Sequence, residues 1–119
     1  MIFKIKVEIA MEIELQNDKN LTEIVTKLKA HFKPVKIYLF GSRARGTATP
    51  GSDYDIFVLV KQSDKSKMER MDEANLALWG RRYAVDVFVY TEAEFEEWKD
   101  AFNSIPHIVA TEGLELNLG

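Results

Sequence analysis

A chain of 119 residues with a formal net charge of −3 has room for one hydrophobic core and lacks the basic footprint that broad nucleic-acid binding requires. With no cysteine, a disulfide framework and thiolate metal sites are excluded, and a reducing cytoplasm is the expected setting. No apolar run approaches the ~20 residues of a bilayer crossing, and the first residues carry no basic flank or cleavage site of a secretory leader.

The first segment, FKIKVEIAMEIEL (3–15), alternates apolar and polar residues at period two, the pattern of a half-buried strand. A strand edge of that length invites pairing. It is expected either to extend the sheet or to join two subunits as a homodimer. Asn20 and Glu23 form a capping-box pattern ahead of a helix over 20–33, with Leu21, Ile24, Val25, Leu28 and Phe32 on one face and Pro34 as its stop. VKIYLF (35–40) and DIFVLV (55–60) are short apolar runs of the kind found in buried strands. The loop between them is too short for a helical crossover, so they are expected to be antiparallel or mixed neighbours.

Ser63 or Asp64 then caps a helix running through Trp79, with Met68, Met71, Leu76 and Leu78 among its apolar positions and Gly80 at its end. YAVDVFVY (83–90) is a third central strand. Thr91 and Glu94 repeat the capping-box pattern, Pro106 introduces about one helical turn, and LELNL (114–118) closes the sheet. Lys61, Lys65, Lys67, Arg70, Arg81 and Arg82, followed by Glu92, Glu94, Glu96, Glu97 and Asp100, are expected to be two solvated helix faces. The element order predicts an α+β fold, a mixed β-sheet with helices packed on one face, formed by a single domain over 1–119.

Three carboxylates stand out. Asp53 and Asp55 share one face of a strand because side chains alternate, and Asp86 lies inside the apolar run AVDVFV, which predicts partial burial. If the three approached to ~6 Å, each pair would cost ~3 kcal/mol at an effective dielectric of ~20. The sum rivals the whole stability of a small domain. Divalent cations remove that cost, and Mg²⁺ prefers hard oxygen ligands shared with substrate phosphates. Two such ions can clamp the attacking and leaving oxygens of a phosphoryl or nucleotidyl transfer. Taken singly, Asp53 is also explained as turn chemistry and Asp86 as a buried acid bonded to backbone. At the other end of the loop, Gly41 permits close backbone approach to a ligand, and a short helix starting at Ser42 or Arg43 would turn free N–H groups toward an anion. Arg43 and Arg45 are candidate phosphate contacts. Ser52 is grouped with them as a nucleotide-binding residue.

Gly41-Ser42, ten residues, then Asp53-Tyr54-Asp55 resembles the GS-x10-D-x-D signature of the polymerase-β-like nucleotidyltransferase superfamily. Specifically, GSRARGTATPGSDYDIFV resembles the minimal nucleotidyltransferases (the MNT family), and Asp86 matches their third carboxylate. The likeness covers residues 20–118; segment 3–15 is an addition. It implies a mixed sheet with helices, two Mg²⁺ ions, a nucleoside triphosphate donor and transfer of a nucleoside monophosphate to an acceptor, ATP and AMP in the toxin–antitoxin case. By position, Asp53, Asp55 and Asp86 would be catalytic metal ligands, with Asp86 the best candidate general base, and Gly41 and Ser42 would hold the triphosphate. The resemblance further implies a helical HEPN-domain toxin as partner, with this chain the antitoxin that AMPylates it. Two alternatives stand beside that: a contact-only binding module with a weak site, and a transferase for a small molecule of the aminoglycoside kind. His31 and His107 belong to no metal-ligand pattern, and Tyr54, facing away from its flanking aspartates, is expected in the core.

Overall fold

The computed structural model describes residues 17–116. The alternating segment 3–15, and with it the homodimer expectation, lies outside the described residues. The first helix, α1 (Lys19–Phe32), is capped by Asp18, whose carboxylate accepts from the Leu21 N–H at 3.1 Å. The cap therefore sits two residues before the expected Asn20. Lys33 adopts a left-handed conformation at the C-terminal end, and Pro34 prevents continuation.

Four strands follow: β1 (Lys36–Phe40), β2 (Tyr54–Val60), β3 (Val85–Thr91) and β4 (Leu114–Leu116). Their order in the sheet is β3-β2-β1-β4. β1 is antiparallel to β2 and β4, and β2 is parallel to β3, giving the mixed sheet and α+β class anticipated from the sequence. The parallel pair is joined through α3 (Lys67–Ala77). A short helix, α2 (Ser42–Arg45), opens the β1–β2 loop, while α4 (Glu92–Trp98) and α5 (Ile105–Glu112) lead into β4.

Helices cover both faces of the sheet, not one. On the first face, Leu21, Ile24 and Leu28 of α1 and Ala74 of α3 pack on Ile37, Leu39, Ile56, Val58, Val87 and Val89. On the second, Phe95 of α4 and Ile105, Ile108 and Val109 of α5 pack on Tyr38, Phe40, Phe57, Leu59, Phe88 and Tyr90. The cause is visible in β2, where Ile56, Val58 and Val60 serve one core and Phe57 and Leu59 the other. A strand apolar on both sides must be covered on both.

The capping box on α4 forms as read, with Thr91 Oγ1 accepting from the Glu94 N–H at 3.2 Å and Glu94 Oε1 from the Thr91 N–H at 2.8 Å. α3 starts later than expected, at a Ser66–Glu69 capping box, and ends at Ala77. Its Met68, Leu76 and the following Trp79 are not core: they are 73%, 70% and 81% exposed. Arg70, expected in solvent, is 4% exposed. Its guanidinium donates to both Glu94 carboxylate oxygens at 2.8 and 3.0 Å and to the carbonyls of Val89 and Lys65 at 2.7 and 3.1 Å. That fork, with help from the Thr91 N–H, holds the Glu94 carboxyl down at about 2. Among the described residues, no helix is long and apolar enough to cross a membrane.

Candidate active site

The loop from β1 to β2 and the first residues of β2 and β3 meet at one end of the sheet. Asp55 and Asp86 are Cα partners in the parallel β2–β3 ladder, so their side chains leave the sheet on the same face. Asp55 also sits opposite Phe40 of β1. Asp53 immediately precedes β2, and the Tyr54 N–H donates to the Ala84 carbonyl at 3.0 Å, which locks the two strand mouths together. Asp55 is half-buried, whereas Asp53 and Asp86 are exposed.

The exposure of Asp86 corrects the expectation that its apolar surroundings would bury it. Val85 and Val87 point into the first core, leaving Asp86 at the open end of the opposite face. With two of the three carboxylates in water, their mutual repulsion is screened and falls well short of the cost expected for a buried triad. Some of it persists. Burial pushes the Asp55 carboxyl up, the charges of Asp86 and then Asp53 push it further, and Arg45 partly offsets them.

Gly41 is fitted to Asp55. Its φ of +75° is a left-handed conformation that disfavours any side chain. A Cβ there would overlap Asp55 Oδ2 and lie 3.0 Å from its Cγ. The glycine thus lets the Asp55 carboxylate press against the backbone where α2 begins. Gly41 caps α2 with its carbonyl, which accepts from the Ala44 and Arg45 N–H groups at 3.1 Å each. The Ser42 hydroxyl makes no hydrogen bond among the described residues.

The remaining candidates are already engaged. Arg43 donates through Nε and Nη2 to the Ser52 carbonyl at 3.1 and 2.7 Å, and its guanidinium lies 3.9 Å from the Tyr54 ring centroid. Ser52 Oγ accepts from the Thr49 N–H at 2.9 Å, closing the Thr49–Ser52 turn. Arg45 pairs with Glu112 of α5 at 3.0 Å on the surface. Tyr54 is core, as expected, but its hydroxyl donates to Asp18 at the start of α1, 3.0 and 2.8 Å from the two carboxylate oxygens. Sequence reading passed over Asp18. Its one signal was that Asp is among the strongest helix N-caps. Neither histidine joins the site: His31 faces Glu73 at 3.3 Å, and His107 Nδ1 bonds the Lys99 carbonyl at 2.9 Å.

Among the described residues, no three acidic or histidine side chains form a finished metal cage. The donor chemistry nevertheless fits a hard divalent cation. The carboxylates of Asp53, Asp55 and Asp86 accept no hydrogen bond from the described residues, so their oxygens remain available, and an open set of this kind leaves coordination positions for phosphate oxygens and water.

Residues 21–111, well over half of the chain, match the nucleotidyltransferase domain family. The chain belongs to that family. Among solved structures it is similar to a "putative nucleotidyltransferase" from Sulfolobus solfataricus, at 32% identity and a TM-score of 0.56, covering 77% of this chain and 80% of the other. It is also similar to a chain in a toxin–antitoxin structure with AMP-PNP, at 27% identity and a TM-score of 0.51, covering 79% and 69% of the two chains. No curated protein matches it. The Gly41-to-Asp55 loop and Asp86 fall inside the matched span.

Proposed function

We propose that this nucleotidyltransferase-family protein is a Mg²⁺-dependent enzyme that moves AMP from ATP onto a hydroxyl of a partner protein, as the antitoxin of a HEPN-type toxin–antitoxin pair. The observation that carries the reading is the juxtaposition of Asp55 and Asp86 across the parallel strands, with Gly41 pressed against Asp55 and Asp53 at the loop's end. Asp55, half-buried, faces two like charges and receives no hydrogen bond from the described residues.

In this reading Asp53, Asp55 and Asp86 hold Mg²⁺, two ions in the full site, and the bound metal neutralises their charge and that of the triphosphate. Gly41 and the Ser42 hydroxyl receive the phosphates at the start of α2. The acceptor oxygen bonds to the α-phosphorus as the bond from that phosphorus to the pyrophosphate oxygen breaks. Pyrophosphate leaves, and the acceptor's proton passes to a carboxylate. Asp86 suits that role because it is the acid of the Asp55–Asp86 pair that faces solvent and an incoming acceptor. Arg45 is available for phosphate only if it leaves Glu112, an exposed pair worth ~0.5 kcal/mol or less.

A protein acceptor is supported by the toxin–antitoxin neighbour with its ATP analogue and by the exposed apolar stripe of Met68, Leu76 and Trp79. The test is incubation with ATP labelled in the α-phosphate, Mg²⁺ and the product of the neighbouring gene. Label should appear on the partner with wild type and be absent with Asp53→Asn. Partner binding without label transfer by the wild type would replace the enzymatic reading with neutralisation by contact.

A further inference from the structure

Asp53 is flanked on both sides by residues that other parts of the chain tie down. On its N-terminal side, the Ser52 carbonyl accepts from Arg43 Nε and Nη2, and the Pro50 carbonyl lies 3.4 Å from the same Nη2. On its C-terminal side, Tyr54 is held at its hydroxyl by both oxygens of Asp18 and on its ring face by the Arg43 guanidinium. Asp18 is itself fixed as the N-cap of α1. One continuous set of contacts thus runs from the first turn of α1, through Tyr54 and Arg43 in α2, to the peptide that joins Ser52 to Asp53.

We infer that Asp18, Tyr54 and Arg43 are positioning residues, a two-sided clamp that sets where the Asp53 carboxylate stands relative to Asp55 and Gly41. The inference rests on the cation-binding reading of Asp53 proposed above and adds to it three residues that touch neither metal nor substrate. Exposed at a loop end, Asp53 has no packing of its own to fix it, so its order must come from its neighbours. Arg43 suits the task because a planar fork can hold one carbonyl at two nitrogens while stacking on an aromatic ring; lysine can do neither together. It also turns an arginine of the signature loop inward, toward scaffold. Outer partners of metal ligands of this kind typically change affinity 10–100-fold when removed.

Three variants separate the clamp from the fold. Tyr54→Phe keeps the ring, the core and the Arg43 stack and loses only the link to Asp18. Arg43→Lys keeps the charge and loses the fork. Asp18→Ser keeps the helix cap, since Ser and Asp rank together there, and removes the carboxylate oxygens that accept from the Tyr54 hydroxyl. Two readouts are taken on each: the ¹⁵N order parameter of the Asp53 amide in the free protein, and Mn²⁺ affinity in the presence of ATP by electron paramagnetic resonance. In the wild type the Asp53 amide should be as ordered as strand β2, at about 0.85, and should fall below about 0.7 in Arg43→Lys. Mn²⁺ affinity should weaken about tenfold in Arg43→Lys and about threefold in Tyr54→Phe, with melting temperatures close to wild type. Asp18→Ser should follow Tyr54→Phe in both readouts. An Asp53 amide that stays ordered in all three variants, or wild-type Mn²⁺ affinity in folded Arg43→Lys, overturns the clamp. A wild-type protein that binds no Mn²⁺ with ATP overturns the cation reading, and the amide measurement then decides separately whether the clamp orders Asp53.

Discussion

Two half-buried acids in this molecule face opposite circumstances. Glu94 lies in the fork of Arg70, receives the Thr91 N–H and is held down at about 2. Asp55, similarly removed from solvent, receives no donor among the described residues, faces Asp86 and Asp53, and is pushed up. The first arrangement stabilises the folded chain; the second opposes it. In the proposed reading, the acid left against like charges is the one that receives a ligand from outside. The same contrast separates scaffold from site across the whole sheet.

The largest expected effect would break the contrast at the site. Asp55→Asn should lower nucleotide transfer to the partner by about a thousandfold in a labelled-ATP assay, because it removes an oxygen donor from the cation platform. A loss below tenfold would return Asp55 to a structural role. On the scaffold side, Glu94→Gln leaves Arg70 buried without its counter-charge and should cost about 2–3 kcal/mol, or roughly 10 °C in melting temperature. The sign of its pH dependence follows from the lowered carboxyl. The contribution of Glu94 is complete above its ordinary value of 4.5 and is lost as pH falls toward about 2. Wild type should therefore approach Glu94→Gln in urea-melt stability across that window, and a constant gap down to pH 2 would contradict the pairing.

A smaller effect is expected at Gly41→Ala, which must adopt φ of +75° and displace the Asp55 carboxylate. About 1–2 kcal/mol of destabilisation should accompany weakened nucleotide binding. Smallest of all, Arg45→Ala should change stability by no more than ~0.5 kcal/mol, because its Glu112 partner is on the surface. Differential scanning calorimetry would resolve the first and barely register the second.

Much of this contrast could be read from the sequence, but unevenly. Strand identities, the antiparallel turn-back and the Thr91–Glu94 box were legible because they depend on local periodicity and caps. The Gly41-Ser42 to Asp53-Tyr54-Asp55 spacing was legible through its resemblance to a known signature, and strand alternation relates only its two aspartates. Tertiary choices were not. Arg70 reads as one more cation in a basic run, and only the meeting of α3 with α4 gives it Glu94. The second core was written in Tyr38, Phe40, Phe88 and Tyr90, aromatic residues at positions where a one-sided sheet would show polar ones. Asp86 was misjudged for a related reason: an apolar run says that its flanking residues are buried, and alternation then sends the residue between them to the other face. Met68, Leu76 and Trp79 fit a helical stripe equally well whether it faces a core or a partner, and periodicity alone does not tell these apart.

On the proposed reading, the unpaired carboxylates destabilise the free protein and are satisfied by a metal–nucleotide ligand. Thermal melts of wild type and Asp55→Asn, each with and without Mg²⁺ and AMP-PNP, test it most directly. Without ligand, Asp55→Asn should melt higher than wild type by a few degrees, since it relieves burial and repulsion of charge. With ligand at about a hundred times its dissociation constant, wild type should gain about 2.7 kcal/mol and the order should reverse. An Asp55→Asn protein that melts below wild type without ligand, or an order that ligand leaves unchanged, would contradict the claim.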